Sequence, residues 1–332
     1  MSEDKGNRRY RALIPVLMIL VTVLLVGCSG STTSTPGATG GTFKEFAVPS
    51  KEGAPEAITA GPDGNLWFTE KLSNRIGRIT PDGKIDEFPI TTANAFPGGI
   101  TTGSDGNIWF TEHSGGIGRI TPTGTITEFP LPTSNGLPGG IAKGADGNIW
   151  FAEFTDSVGR ITPTGTITEF PLQVAPPNLA EGMVAGPDGA LWFTDSATGN
   201  IGHLTSTGTV NEFPLSAATK FPEGITAGPD GLWFTENAGN QIGHITAQGK
   251  ITEFAIPTAK SGATGITSAG NTLWFTEFTG NKIASVSSTG TISEFAVPTA
   301  GSSPKGIAAG PNGTIWFTES VGNQIGLFTP SK

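Results

Sequence analysis

The sequence predicts an all-β protein, a seven-bladed β-propeller of four-stranded blades. Glycine and proline account for 74 of the 332 residues, which argues against a mainly helical protein. Hydrophobic residues make up 36% of the chain, which argues against wholesale disorder. All seven tryptophans recur at spacings of 41 or 42 residues, and each is followed by phenylalanine. A repeat of this length with four strands is typical of a propeller blade.

Each repeat contains four short β segments separated by turn sequences. In the second repeat they are Gly99–Thr102, Asn107–Glu112, Ile117–Thr121 and Thr125–Phe129. The second segment is apolar on both faces, which predicts a strand buried on both sides. Pro and Gly stand between the segments where tight turns favour them. A parallel β-helix is the alternative, but it has shorter coils and fewer reverse turns.

The phase of the repeats predicts how the ring closes. A Glu-Phe segment, Lys44–Pro49, precedes the first tryptophan, whereas the last repeat ends after its third segment, Ile325–Thr329. We therefore expect the N-terminal strand to be the outer strand of the last blade. The predicted propeller domain spans residues 43–330, and we expect it to be monomeric.

The N-terminus carries an export signal. Four basic residues precede an apolar run, Ala12–Gly27, which is shorter than the roughly 20 residues of a membrane span and typical of a secretory signal. Residues 1–27 end before Cys28, the one cysteine of the chain, and this junction resembles a bacterial lipoprotein signal. We expect a lipid on Cys28 and an extracytoplasmic protein tethered to a bacterial membrane. An uncleaved N-terminal anchor is the alternative. The small and polar residues 28–42 predict a flexible linker.

The charge of the chain argues against one class of partner. Without residues 1–27 the chain has 15 Lys and Arg against 26 Asp and Glu, a net charge of −11. Phosphate backbones repel such a protein, so we expect no nucleic-acid partner.

Function is expected where the blades differ. The residue two positions before the Ile of the first segment borders the central channel, and we call it the mouth residue. The mouth residues of blades one to seven are Glu56, Gly98, Gly139, Glu181, Glu223, Thr264 and Lys305. Glu181 and Glu223 are in adjacent blades, and ring closure makes Glu56 and Lys305 neighbours. The Glu181–Glu223 pair predicts a site for Mg²⁺ or Ca²⁺, or a carboxyl group whose pKa is raised by its neighbour. A solvated acidic rim is the alternative.

The acid that ends the second segment recurs in every blade, and Glu319 is its last copy. It has two interpretations, a ring of carboxylates around a cation or bonds to the backbone amides of a neighbouring blade. The residue after this acid varies and includes His113, Phe154 and Phe278. We expect these three on the mouth face, the phenylalanines against an apolar ligand and His113 as a base. Packing under their own loops is the alternative.

The repeat P-x-G-I-T-x-G-P-D-G-x-L-W-F-T-E resembles that of the virginiamycin B lyase (streptogramin lyase) family over about residues 43–330. The resemblance implies an elimination that opens the lactone of a cyclic depsipeptide antibiotic, with a histidine base and Mg²⁺. The family's two site histidines fall on Thr264 and Lys305, and its two metal-binding glutamates on Ser303 and Glu319. Lys305 would act as a base only if its pKa fell well below about 10.4, and the neighbouring Glu56 carboxylate opposes such a fall.

Three functions follow from these patterns. We expect a propeller that binds a small molecule or peptide at the channel mouth. The alternatives are a streptogramin-type lyase with a remodelled site and a surface scaffold for another protein. The missing histidines favour binding over the lyase, whereas a wide exposed apolar patch would favour the scaffold.

Deletion of residues 43–50 tests ring closure. We expect a sharply lower melting temperature by differential scanning calorimetry, because the opened ring loses a strand of its last blade and exposes a sheet edge. Deletion of eight linker residues, 30–37, is the matched control. Equal melting temperatures for the two deletions would contradict the arrangement.

Overall fold

The structure is a computed structural model that describes residues 40–133, 136–154, 157–171, 180–205 and 209–331. The predicted signal peptide, Cys28 and most of the predicted linker lie outside the described residues. The described strands form seven four-stranded antiparallel sheets, which confirms the predicted β-propeller. In this part of the chain, no helix is long and apolar enough to cross a membrane.

The strands are numbered in chain order, and each blade is given from the channel outward. Blade one consists of β2 (Pro55–Ala60), β3 (Leu66–Glu70), β4 (Arg75–Ile79) and β5 (Ile85–Pro89). Blade two consists of β6 (Pro97–Thr102), β7 (Ile108–Glu112), β8 (Gly116–Ile120) and β9 (Ile126–Pro130). Blade three consists of β10 (Pro138–Lys143), β11 (Ile149–Glu153), β12 (Ser157–Ile161) and β13 (Ile167–Pro171). Blade four consists of β14 (Ala180–Ala185), β15 (Leu191–Asp195), β16 (Asn200–Leu204) and β17 (Val210–Pro214).

Blade five consists of β18 (Pro222–Gly228), β19 (Gly231–Glu236), β20 (Gln241–Ile245) and β21 (Ile251–Ala255). Blade six consists of β22 (Ala263–Ala269), β23 (Thr272–Glu277), β24 (Lys282–Val286) and β25 (Ile292–Ala296). Blade seven consists of β26 (Pro304–Ala309), β27 (Ile315–Glu319), β28 (Gln324–Pro330) and the N-terminal β1 (Gly41–Ala47). Two 3₁₀ turns, Ala218–Lys220 and Pro311–Gly313, lie between strands.

The N-terminal strand closes the ring as predicted. β1 pairs antiparallel with β28, with Phe46 opposite Ile325, so both ends of the domain are held in one sheet. The strand begins at Gly41, two residues before the predicted start of the domain.

The hydrophobic core lies between neighbouring blades. Trp67 and Ile76 of blade one pack with Ile100 and Phe110 of blade two, and equivalent clusters recur around the ring. The first strand of each blade contacts the first strands of both neighbours, so these strands line the central channel. The second strand is buried on both faces, as its apolar run predicts.

Every channel strand contains a β-bulge at its mouth end. In blade one the register shifts between Pro55 and Ile58, and the mouth residue Glu56 lies inside the shift. The same shift recurs in the other six blades. A bulge leaves backbone groups outside the ladder, and buried groups of this kind need other partners. It also re-aims the side chain that it carries.

A buried threonine supplies these partners and joins one blade to the next. In blade one, Thr69 Oγ1 accepts a hydrogen bond from the Ala57 amide at 3.1 Å and donates one to the Gly98 carbonyl of blade two at 2.8 Å. The equivalent threonines that make the same two bonds are Thr111, Thr194, Thr235, Thr276 and Thr318. We call this set the threonine relay. Blade three has Ala152 instead, so the next mouth residue, Glu181, has no relay hydroxyl behind its carbonyl.

The acid after this threonine is paired with a second acid inside its own blade. Burial, together with the charge of Glu128 in the outer strand, raises the pKa of Glu112 to about 8. Glu128 in turn accepts a hydrogen bond from the Thr92 amide of the preceding loop at 3.0 Å. Burial likewise raises the pKa of the equivalent acids Glu70 and Glu236 to about 7, and of Glu277 and Glu319 to about 8.

The recurring acids therefore do not bind the amides of a neighbouring blade, and that interpretation is wrong. Asp195 accepts hydrogen bonds from the amides of Ala197 and Thr198, which belong to its own blade. The threonine relay makes the contact between blades instead.

The relay predicts the effect of two substitutions. We expect Thr111→Val to lower the free energy of unfolding by about 1–3 kcal/mol, because it leaves the Gly99 amide and the Gly139 carbonyl without their partner. We expect Ala152→Thr to raise the free energy of unfolding by restoring the bond to the Glu181 carbonyl. Urea denaturation measures both, with Thr123→Val in an exposed turn as the control. Equal losses for Thr111→Val and Thr123→Val would contradict this role.

The carboxyl pairs predict that stability falls as the pH rises. An acid whose pKa is about 8 in the folded state and about 4.5 when unfolded keeps its proton in the fold after the unfolded chain has lost it. Its contribution is therefore complete below about pH 4.5 and is lost as the pH rises to about 8. We expect Glu112→Gln to raise the melting temperature at pH 8 and to leave it nearly unchanged at pH 5. Glu212→Gln, at an exposed site, is the control, and equal shifts at both pH values would contradict the assignment.

Candidate functional site

The channel mouth is a cavity of about 170 Å³ built from the bulged ends of the channel strands. Six of the predicted candidates line it, namely Glu56, His113, Glu181, Glu223, Thr264 and Lys305. Glycines of the bulges supply much of the remaining wall. Side chains from different blades thus converge on one cavity, although they are distant in sequence.

An ion-pair network occupies one side of the mouth. The Lys305 Nζ lies 2.6 Å from Glu56 Oε1, and the Lys71 Nζ lies 3.3 Å from the same oxygen. Burial raises the pKa of Glu56, but the two ammonium groups outweigh it and leave the pKa below its ordinary value. Burial lowers the pKa of Lys305, but Glu56 outweighs it and leaves the pKa above its ordinary value. Both groups are therefore charged at neutral pH, as the predicted neighbourhood of Glu56 and Lys305 implies.

The Glu181–Glu223 pair differs from Glu56 in that no ammonium group forms a salt bridge with it among the described residues. Burial and the charge of Glu181 raise the pKa of Glu223 to about 7. Among the described residues, neither carboxylate forms a salt bridge, and Glu181 is exposed to the channel. Glu223 is therefore present in both its protonated and its ionised form near neutral pH. The metal alternative stays a prediction, since no group of three or more His, Cys, Asp or Glu in the described chain has metal-holding geometry.

His113 reaches the mouth from the loop after β7. A Cβ on Gly98 would lie 2.6 Å from His113 Nε2, so the missing side chain of Gly98 makes room for the imidazole. Burial and the charge of Lys71 lower the pKa of His113 to about 4, which leaves the ring neutral at pH 7. Its ring packs edge-on against Phe154, with the ring centroids 6.2 Å apart.

Of the remaining candidates, two do not line the cavity and the third uses its hydroxyl in hydrogen bonds within the fold. Phe154 supports His113, whereas Phe278 is half-buried in the loop after β23 and does not line the cavity. Thr264 is buried, and its hydroxyl is within 2.9 Å of the relay hydroxyl of Thr276 and donates to the Lys305 carbonyl at 3.2 Å. Thr264 therefore serves the backbone rather than a ligand.

The residues present do not fit the Mg²⁺ that the family resemblance implies. Glu319 is fully buried next to Glu45 and does not line the mouth cavity. Ser303 offers a hydroxyl where a second carboxylate is implied. The oxygens of Glu319 lack hydrogen-bond partners, but those of Glu277 do too, so this feature belongs to the repeat. Hard divalent cations prefer several carboxylate oxygens, and Ser303 and Glu319 together supply one buried carboxyl group.

Two functional features were missed from the sequence. Lys71 follows the recurring acid at a position that varies between blades, and that variation was the available signal. For the threonine relay, the available signal was a threonine directly before the acid in six blades and Ala152 at that position in blade three. Neither signal shows which group the side chain contacts, because the partner lies in another strand or blade.

Comparisons with known proteins agree with this architecture. The sequence model described as the virginiamycin B lyase family matches residues 37–178 and 173–332. A virginiamycin B lyase of Saccharopolyspora erythraea is 50% identical over 42 residues, a match that spans 13% of this chain and 14% of that protein.

Two solved structures are similar over nearly the whole propeller. A streptogramin B lyase is 36% identical, with a TM-score of 0.85, and the match covers 90% of this chain and all of that chain. A catalytically inactive virginiamycin B lyase variant from Staphylococcus aureus, solved with quinupristin, is 39% identical, with a TM-score of 0.82, and the match covers 86% and 98% of the two chains. On the match of its whole propeller, the chain belongs to the virginiamycin B lyase family.

Proposed function

We propose that this chain is a ligand-binding propeller whose ligand occupies the channel mouth, and that it does not carry out a histidine- and metal-dependent elimination. One observation carries this proposal. Lys305, which stands where the family resemblance implies the catalytic histidine, is held in a 2.6 Å ion pair with Glu56. A protonated amine has no lone pair with which to take a proton, so it cannot act as the base.

The wall of the mouth supports binding as its use. The cavity brings together charged groups from blades one, four, five and seven with the imidazole of blade two. A ligand contacts all of them only when it lies over the channel axis. Convergent polar groups around one concave opening are typical of ligand sites. The S. aureus relative was solved with quinupristin, and we infer that this chain also binds a ligand.

We also propose that the propeller is tethered outside the cytoplasm through a lipid on Cys28. The sequence at residues 1–28 supports this assignment. The channel strands begin at the mouth, so β1, which is antiparallel to β28, starts at the opposite face. The described chain therefore enters the propeller, at Gly41, on the face opposite the mouth.

A second candidate function is a lyase with a different base. His113 is neutral at pH 7, and the charges of Lys71 and Lys305 act on it. In this alternative His113 takes a proton from the carbon next to the one that carries the lactone oxygen. A carbon–carbon double bond forms between these two carbons, and the lactone C–O bond breaks with the carboxylate as the leaving group. The two ammonium groups stabilise the negative charge that develops at the carbonyl oxygen.

Incubation of the protein with a type B streptogramin and Mg²⁺ separates these functions. Elimination gives a linear isomer of unchanged mass, which liquid chromatography with tandem mass spectrometry resolves from the cyclic compound. We expect no conversion, and we expect Lys305→Met to change ligand binding rather than turnover.

Conversion that His113→Ala abolishes would establish the second candidate, and conversion that Glu319→Gln abolishes would restore the metal-dependent reaction. Either result would overturn the binding proposal. Phe278→Ala, outside the cavity, is the control for general damage to the mouth face.

A further inference from the structure

The exposed apolar side chains lie together on one face. Among the described residues, the exposed large hydrophobic side chains are Leu72, Phe96, Leu137, Phe221 and Val321. Leu72 and Val321 follow the mouth ends of β3 and β27, whereas the other three directly precede the mouth ends of β6, β10 and β18. All five therefore surround the channel mouth, and we call them the apolar collar.

The collar phenylalanines have a backbone conformation that suits glycine better. Phe96 and Phe221 have φ values of +49° and +48°, in the left-handed region that bulky residues rarely adopt. Blade six has Gly262 at the equivalent position, where φ is +64°. The turn thus tolerates glycine, yet these blades carry a large apolar group that is 41% and 46% exposed. Ala54 and Ser303 adopt the same backbone conformation at this turn, with φ values of +47° and +56°, so the exposed rings and not the strain distinguish blades two and five. Exposed large apolar side chains gathered on one face mark a surface used for contact.

The charges inside the collar do not balance. The mouth contains three carboxylates, Glu56, Glu181 and Glu223, and two ammonium groups, Lys71 and Lys305. Both ammonium groups bind Glu56, and His113 is neutral at pH 7. Glu223 has a pKa of about 7 and is therefore ionised in part at neutral pH. Among the described residues no ammonium group forms a salt bridge with Glu181 or Glu223, so this side of the mouth carries unbalanced negative charge.

We propose that the mouth face binds a peptide that places one basic side chain between Glu181 and Glu223 and apolar side chains on the collar. This proposal rests on ligand binding at the mouth and names the class of ligand. An ammonium or guanidinium group supplies the missing charge and makes charge-assisted hydrogen bonds to both carboxylates. Apolar residues on both sides of it cover the collar and remove its surface from water.

The mouth favours a basic side chain over a divalent cation. Lys305 lines this cavity, and the Lys71 ammonium lies 3.3 Å from the Glu56 carboxylate that lines it. Both ammonium groups repel a doubly charged ion more than a singly charged one. The pair offers two carboxylates, and the described residues add no third acid in metal-holding geometry. A peptide also explains the collar, which a metal ion does not contact.

Three synthetic peptides test the proposal. Each has two apolar residues on either side of a central lysine, norleucine or glutamate, and isothermal titration calorimetry with the full-length protein measures its affinity. We expect the lysine peptide to bind more tightly than the norleucine peptide by on the order of tenfold, the effect of a charge-assisted hydrogen bond, and the glutamate peptide to bind most weakly. Glu181→Gln and Glu223→Gln should each remove this preference, whereas the exposed Glu212→Gln should not.

The collar has its own test. We expect Phe96→Ser and Phe221→Ser to weaken all three peptides equally, because these variants change the apolar contact and not the charge. Melting temperatures at or above that of the parent protein exclude misfolding as the cause.

The two proposals fail in different ways. Equal affinity for the three peptides would overturn the basic-residue proposal and leave ligand binding at the mouth standing. Absence of binding by any of the three peptides would overturn the peptide proposal, whereas the proposed ligand binding at the mouth is overturned by the streptogramin conversion described above. If calorimetry shows binding of Mg²⁺ or Ca²⁺ that Glu181→Gln abolishes, and the three peptides bind equally, the Glu181–Glu223 pair is a metal site and the basic-residue proposal is wrong. A dimer in sedimentation velocity that Phe96→Ser dissociates would assign the collar to a second copy of the chain.

Discussion

The fold depends on the bond that the threonine relay makes across six of the seven blade boundaries. A bulge at the mouth end of every channel strand frees an amide and a carbonyl, and burial of unpaired backbone groups would be costly. One hydroxyl accepts from the amide of its own blade and donates to the carbonyl of the next, as Thr318 does between Gly306 and Glu56. This last bond crosses from blade seven to blade one and joins the relay across the closure of the ring.

The relay also explains why the mouth can vary without damage to the fold. It holds the mouth residues by their carbonyls, as it holds Glu223 and Lys305, so their side chains are free to differ. Glycine at Gly98 and Gly139 and charge at Glu56 therefore occupy equivalent backbone positions. Ala152 interrupts the relay behind Glu181, and that residue is one of the two mouth glutamates without a salt bridge among the described residues. The least anchored mouth residue is thus one that we assign to the ligand.

Sequence alone predicts the parts of this molecule that repeat. The tryptophan spacing and the phase of the first Glu-Phe segment predict the seven blades and the pairing of β1 with β28. The neighbourhood of Glu56 and Lys305 follows from ring closure, and the structure places them 2.6 Å apart. The role of Lys71 did not follow, because a long side chain reaches its partner across a turn whose shape the repeat does not specify. The recurring acids were misassigned, since their partners such as Glu128 lie two strands away in the same blade.

Loss of the family's histidines changes the electrostatics of the mouth as well as its chemistry. A neutral imidazole at the position of Lys305 would leave Glu56 with Lys71 alone, at 3.3 Å. Lys305 supplies the shorter bond to Glu56. Its charge also lowers the pKa of Glu223, whereas burial and the charge of Glu181 raise that pKa, which lies at about 7. The substitution that removes a base therefore helps Glu181 and Glu223 to remain ionised. Under the binding proposal, this ionisation is what attracts a single positive charge to the mouth.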